Sequence, residues 1–225
     1  RRVVDPSQIP AYRFKTMSVG RFPAMQADLA SARGNSQFGV NRLYLDAVSP
    51  LRLEVPRDFP SARSVVVAAA FSKNMYASFR LNGVAHRVLL PYQYYEDDYS
   101  ASKLKGLVQT EVVRTANRRI VDVSKQVPLK MLAARSGLGR YARNGLVFVD
   151  GMGSYAVLFA FLTDHPFPED NWVADLPILD ECNHCHACER SCPTGCISRW
   201  SYGVNIDRCV TLYNENQGQF PTYIY

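Results

Sequence analysis

The stretch that decides how the C-terminal part of the chain folds reads Cys182-Asn-His-Cys185-His-Ala-Cys188-Glu-Arg-Ser-Cys192-Pro193. Three thiols recur at every third position, so one tight loop can place them around three corners of an iron–sulfur cubane. The fourth cysteine, held by the proline after it, is spaced to face a second cluster. The pattern therefore predicts that Cys182, Cys185 and Cys188 ligate one [4Fe–4S] cluster and that Cys192 ligates another.

Two alternatives for this stretch stay open. Structural zinc sites use two pairs of ligands separated by a longer span, which fits three evenly spaced thiols less well than an iron–sulfur cluster does. His184 and His186 lie inside the loop. Histidine ligation of the Rieske kind has a different spacing, so we expect both to be loop side chains that tune the cluster potential.

The placement of the cysteines indicates a local metal site. All six lie in the last fifth of the chain, and residues 1–181 contain none. A disulfide framework would connect distant elements, so the clustering favours a reducing compartment and a cytoplasmic protein.

Two four-iron clusters need more thiolates than these six cysteines supply. We expect Cys209 to ligate the second cluster. Cys196 is either a further ligand or, as we favour, a small buried side chain in the turn after Cys192. The remaining ligands are expected beyond Tyr225, which would make the C-terminal domain incomplete.

The composition of the chain restricts the classes of protein to which it can belong. The 225 residues are 47% apolar, which suits one domain with a small appendage. The longest apolar runs span about 8 residues, whereas a membrane helix needs roughly 20. Residues 101–150 carry ten Lys and Arg against three Asp and Glu. This basic block is interpreted either as solvated helix faces or as a surface for a phosphate-bearing partner.

Hydrophobic patterning predicts an α/β (α+β) fold with a mixed sheet flanked by helices over residues 1–175. The cysteine-rich residues 176–225 are expected to form a small separate domain. The expected elements are helices near 22–32, 101–117 and 128–136, buried strands at 63–71, 119–123, 145–149 and 155–162, and a loop at 91–99. Gly137 is placed to end the third helix. Residues 150–154 are expected to form a hairpin loop between the last two strands.

The order of motifs resembles the epoxyqueuosine reductases and their relatives that share a core with reductive dehalogenases. The matching blocks are Leu132–Asn144, Gly153–Tyr155, Phe161–Asp164, Cys182–Gly195 and Asp207–Cys209. The resemblance implies an oxidoreductase in which two [4Fe–4S] clusters, carried by a ferredoxin-like domain over residues 176–225, reduce a base-off cobalamin bound by the α/β domain. It also implies an electron donor of the ferredoxin or flavodoxin type, and a substrate that is epoxyqueuosine in tRNA, an organohalide or another corrinoid protein.

The resemblance assigns corrinoid contacts to two glycine-rich segments and a proton donor to one aspartate. The implied contacts are Gly137, Leu138, Gly139, Arg140, Tyr141, Asn144, Gly153, Ser154 and Tyr155. Asp122 is the implied acid, although it lies one residue further upstream than in the family motif. The family has Trp and Lys where this chain has Arg140 and Arg143. A helix C-cap followed by a hairpin turn would need the same glycines, and Asp122 is equally suited to ending a strand.

Two other functions remain open at this stage. One is an electron-transfer module whose α/β domain binds no cobalamin and only docks partners. The other is a truncated, inactive remnant.

Overall fold

A computed structural model of the chain describes residues 10–33, 50–72, 75–90, 101–198 and 203–215. Its centre is a four-stranded sheet with the order β1-β2-β8-β5. These strands are Tyr12–Ser18, Ser64–Phe71, Ala156–Thr163 and Ile120–Asp122. Two hairpins lie outside the sheet: β3–β4, formed by Met75–Leu81 and Val84–Leu90, and β6–β7, formed by Gly139–Tyr141 and Val147–Val149.

Strand β2 is an inner strand of the sheet. Helices pack against both faces of the sheet, which explains why the sequence of β2 is uniformly apolar. Its side chains from Val65 to Ala70 are fully buried. Alternate residues belong to two cores. Helices α1 (Phe22–Arg33) and α3 (Leu129–Arg135) contribute to one core, and α2 (Ala101–Leu107) contributes to the other.

The α/β class is confirmed, but the expectation of a mixed sheet is wrong for the described strands. Every pairing between these strands is antiparallel. A run of apolar residues indicates that both faces of a strand are covered; it carries no information on strand direction. Because helices cover both faces of this sheet, an antiparallel strand has the sequence signature usually associated with a parallel one.

The predicted helices are confirmed with one change of length. Helix α3 ends as expected, with Gly137 at φ 67° and its N–H donating to the Ala134 carbonyl. The helix predicted over 101–117 is shorter. After α2 the chain continues as a π-helical segment, Val108–Val113, which ends at Arg114 in the left-handed conformation.

The prediction that the strands at 145–149 and 155–162 form a hairpin is wrong. Strand β7 pairs with β6, while β8 lies between β2 and β5. The long apolar β8 buries its side chains in the central sheet, which a hairpin with the three-residue β7 would not provide. Strands β1, β3, β4 and β6 were not foreseen, and the loop predicted at 91–99 lies outside the described residues. No described helix has the length and apolarity to cross a membrane.

Gly139 is required by the tight β6–β7 hairpin. A Cβ at this position would lie 2.5 Å from Val147 Cγ1 and 2.7 Å from the Phe148 carbonyl oxygen. We therefore expect Gly139→Ala to lower the free energy of unfolding by about 1–3 kcal/mol, as overpacking does. Urea denaturation measures the change.

Gly106→Ala is the matched control. A Cβ there meets no heavy atom within 4 Å, and the residue lies in α2. Alanine should stabilise this helix by up to about 1 kcal/mol. Equal unfolding midpoints for the two variants would contradict the steric role given to Gly139.

Candidate metal centre

The first three cysteines form one group. Helices α4 (Cys182–Cys185) and α5 (Ala187–Ser191) meet at His186, whose φ of 52° turns the chain sharply between them. Burial raises the pKa of the Cys188 thiol; a backbone hydrogen bond opposes this rise, and the nearby Cys182 and Cys185 add to it. Cys182 and Cys185 thus lie near enough to Cys188 to affect its thiol.

The last three cysteines form a second group. The Sγ atoms of Cys192 and Cys196 are 3.3 Å apart, and the Thr194 hydroxyl lies 3.7 Å from Cys192 Sγ. Cys209 is near enough to contribute to the pKa of Cys196. It follows the 3-10 turn Ile206–Arg208 and precedes helix α6 (Val210–Glu215).

The two thiols of the close pair have opposite pKa shifts. Burial alone would raise the pKa of Cys192, but hydrogen bonds from Cys196 and Thr194 outweigh burial and lower it to about 7. Burial, with the hydrogen bond to Cys192 next in size, raises the pKa of Cys196 to about 12.

Cys196 is buried, as the sequence interpretation favoured, but its sulfur also contacts a predicted ligand. The two histidines of the loop differ. His184 is exposed, whereas His186 is half-buried with its Nδ1 3.2 Å from Glu189 Oε2.

The donor set fits iron–sulfur clusters. All six cysteines are free thiols, and thiolates are the ligands that [4Fe–4S] clusters use. Among the described residues, no three His, Cys, Asp or Glu side chains converge as candidates for one metal ion. The ligands of a cubane bind separate iron atoms, so they are spaced more widely than the ligands of a single ion.

Arg143 connects the cysteine-rich segment to the α/β body, a role that sequence reasoning missed. Its side chain is buried, and its two terminal nitrogens donate to the carbonyl oxygens of Cys182 at 3.4 Å and Ser198 at 3.3 Å. Backbone hydrogen bonds between Tyr141 and both Pro177 and Leu179 attach the same segment to strand β6. A cationic residue at the end of a hairpin carries no sequence signal for such burial.

Removing Arg143 should loosen the metal centre. Hydrogen bonds from charged donors contribute about 1.5–3 kcal/mol each, so we expect Arg143→Ala to cost about 3 kcal/mol of stability. We also expect iron to be lost faster to a chelator. Thermal unfolding and the rate of iron release measure the two effects.

Arg140→Ala provides the comparison. The Arg140 guanidinium is partly exposed and lies 3.6 Å from the exposed carboxylate of Asp150. Such surface pairs contribute about 0–1 kcal/mol. If both variants release iron at the wild-type rate, Arg143 does not hold the centre in place.

Two of the predicted corrinoid contacts line a cleft beside the central sheet. A cleft of about 1100 Å³ runs beside β1, and of the nine predicted residues only Gly137 and Leu138 line it. Arg13, Lys15 and Arg114 line it together with Glu111, Asp150 and Glu169, so its walls carry charges of both signs. The cleft has the volume for a large ligand but no excess of positive charge, so the fit to cobalamin is partial.

The other seven predicted contacts lie in the β6–β7 hairpin and the turn after it. Gly153 has φ 63°, and a Cβ there would meet nothing within 4 Å, which is typical of a turn glycine. Tyr155 is 47% exposed. Asn144 Oδ1 accepts a hydrogen bond from the Leu146 N–H and so shapes the hairpin turn. These contacts stay predictions.

Asp122 ends strand β5 and is exposed. Its Oδ1 accepts hydrogen bonds from the Ser124 N–H at 2.9 Å and the Ser124 hydroxyl at 2.5 Å. This geometry is typical of an Asx turn. Asp122 lines neither the cleft nor a smaller cavity of about 500 Å³ whose cationic wall consists of Lys105, Arg118 and Arg119.

Comparisons with known proteins point to one group. No protein-family model matches the chain. The epoxyqueuosine reductase of Staphylococcus aureus is 25% identical over 178 residues, covering 76% of this chain and 45% of the relative. That of Leadbetterella byssophila is 29% identical over 188 residues, covering 77% and 58%. The chain thus spans about half the length of these curated relatives.

Solved structures share the fold. The epoxyqueuosine reductase of Streptococcus thermophilus superposes with a TM-score of 0.58 at 18% identity, over 96% of this chain and 57% of that one. An epoxyqueuosine reductase crystallised with an epoxyqueuosine-modified tRNA-Tyr stem loop gives a TM-score of 0.60 at 21% identity, over 96% and 56%.

Proposed function

Since the chain is a distant homologue in the epoxyqueuosine reductase family, we propose that it belongs to an oxidoreductase that passes electrons from iron–sulfur clusters to a cobalamin. The observation that carries this proposal is the division of the six cysteines into two groups in contact with the α/β body. Bound clusters supply single electrons at low potential, which protein side chains do not.

The proposed cluster ligands are the five cysteines that the sequence singles out. Cys182, Cys185 and Cys188 hold the first cluster, and Cys192 and Cys209 hold the second. Arg143 keeps both groups against the body through the carbonyls of Cys182 and Ser198. This anchoring keeps the distance between the clusters and the α/β domain constant, and constant distance favours electron transfer.

We assign the corrinoid to the cleft beside β1. Gly137 and Leu138 line one wall, and Arg13, Lys15 and Arg114 are the groups for phosphate and amide oxygens. A bound cobalamin supplies the metal chemistry that reduces a C–O bond. Asp122 stays a predicted proton donor only, because it ends β5 at the opposite edge of the sheet from β1 and does not line this cleft.

The proposed substrate is epoxyqueuosine in tRNA. A homologue of this fold was crystallised with an epoxyqueuosine-modified stem loop. On this chain, the basic cavity at Lys105, Arg118 and Arg119 suits backbone phosphates. The electron donor is proposed to be a ferredoxin- or flavodoxin-type protein.

A second function is favoured by one observation. Only two of the nine predicted corrinoid contacts line the cleft. An electron-transfer module that binds clusters but no cobalamin would need no such convergence. This module is the alternative that the experiment must separate.

The test is metal and corrinoid binding by the anaerobically reconstituted full-length protein. We expect iron, sulfide, and a shift of the cobalamin absorption bands on titration. Arg13→Glu should weaken cobalamin binding at least about tenfold, because a favourable charge becomes a repulsive one. Arg80→Glu, on the separate β3–β4 hairpin, should leave it unchanged.

If the protein binds iron but not cobalamin, the electron-transfer module is the function that remains. If it binds no iron, both proposed functions are wrong. Reduction of epoxyqueuosine in tRNA, assayed with an organohalide in parallel, then identifies the substrate.

A further inference from the structure

Cys192 Sγ is approached by two hydrogen-bonding groups from the turn that follows it. Cys196 Sγ lies at 3.3 Å and Thr194 Oγ1 at 3.7 Å. Both residues are buried, each with 7% of its surface exposed. A cysteine sulfur that ligates a cluster carries no hydrogen, so with Cys192 as a ligand only the Cys196 S–H and the Thr194 O–H can donate across these contacts.

The backbone holds this arrangement in place. The Gly195 N–H donates to the Cys192 carbonyl, and Gly195 has φ 61°, so the chain turns back immediately after the proline. The Cys196 carbonyl accepts from the Asn205 N–H at 2.9 Å, and Ile197 forms a bridge with Val204. Cys196 is therefore tied at the base of the segment that leads to Cys209.

The short distance between the two sulfurs helps to distinguish two possible roles for Cys196, which are cluster ligand and hydrogen-bond donor. Two thiolates that ligate one cluster repel each other and bind different iron atoms, so they do not rest in direct contact. A thiol can approach the sulfur of a ligand closely because its hydrogen is shared between the two. The 3.3 Å contact is within hydrogen-bonding distance for two sulfurs.

We propose that Cys196 is not a cluster ligand but a positioning residue, whose S–H donates a hydrogen bond to the Cys192 sulfur and raises the reduction potential of the second cluster. The inference rests on the proposed ligation of a cluster by Cys192. Thr194 acts in the same way through its hydroxyl.

The physical reason is charge. On reduction the cluster gains one electron from an external one-electron reductant and no proton, and the thiol keeps its hydrogen. The added negative charge spreads onto the ligand sulfurs, so a donor aimed at one of them stabilises the reduced form more than the oxidised form. Loss of the donor shifts the midpoint potential to a more negative value.

The test compares Cys196→Ala, Cys196→Ser and Thr194→Val in the full-length holoprotein. Iron and sulfide content are measured first, followed by a redox titration monitored by electron paramagnetic resonance. We expect unchanged iron in all three variants. The midpoint should become more negative in Cys196→Ala and, by less, in Thr194→Val. Cys196→Ser, which keeps an O–H donor, should restore most of the wild-type midpoint.

Each failure has a distinct meaning. Wild-type protein without iron overturns the proposed function, and the inference falls with it. Wild-type iron with an unchanged midpoint in Cys196→Ala overturns the inference alone. Loss of iron from both Cys196→Ala and Cys196→Ser, with an unchanged thermal midpoint, overturns the inference in favour of Cys196 as a ligand.

Discussion

Cys185→Ala should remove the proposed first cluster, which is about four iron atoms, and abolish the proposed reductase activity. Cys185 is exposed, so its side chain contributes little to packing, yet it is close enough to Cys188 to raise the pKa of that thiol. Losing one of three thiolates at evenly spaced positions leaves the cubane without a ligand at one corner. Iron content and the broad absorbance of the cluster measure the loss.

Cys196→Ala is the matched control, because it removes a thiol that we do not assign as a ligand. It should keep wild-type iron, and both variants should unfold at similar temperatures when metal-free. Retention of all iron in Cys185→Ala would show that the first group of thiols does not hold a cluster.

Phe161→Ala should produce the largest loss of stability away from the cysteines. Phe161 is fully buried on β8, opposite Val66 of β2, and packs in the core that contains Leu104 and Val108. Truncating a buried aromatic side chain loses its transfer free energy and leaves a cavity. The expected cost is about 3–5 kcal/mol. Urea unfolding followed by circular dichroism measures it.

Phe79→Ala makes the same chemical change at an exposed position. Phe79 is 48% exposed on the β3–β4 hairpin, where its ring stacks on His86 with centroids 5.4 Å apart. We expect a loss below about 1 kcal/mol. Comparable losses in the two variants would mean that the central sheet does not dominate stability.

Local patterns predicted the elements whose signals lie within a few residues. The buried strand β2, helix α3 with its glycine stop, and helix α1 are each encoded by apolar runs, helix formers and turn residues. Strand partners are different, because pairing depends on which distant segment covers each face. That is why the hairpin expected at 150–154 is replaced by the pairing of β8 with β2 and β5.

The cysteine spacing by itself determined that this protein carries a local thiol-rich centre, since ligands a few residues apart are brought together by the turn that contains them. Only the tertiary structure decided that Cys196 touches Cys192, that Arg143 joins the centre to the body, and that Gly137 and Leu138 line the cleft beside β1. Those relations depend on how distant segments pack, and packing distances are not encoded in residue spacing.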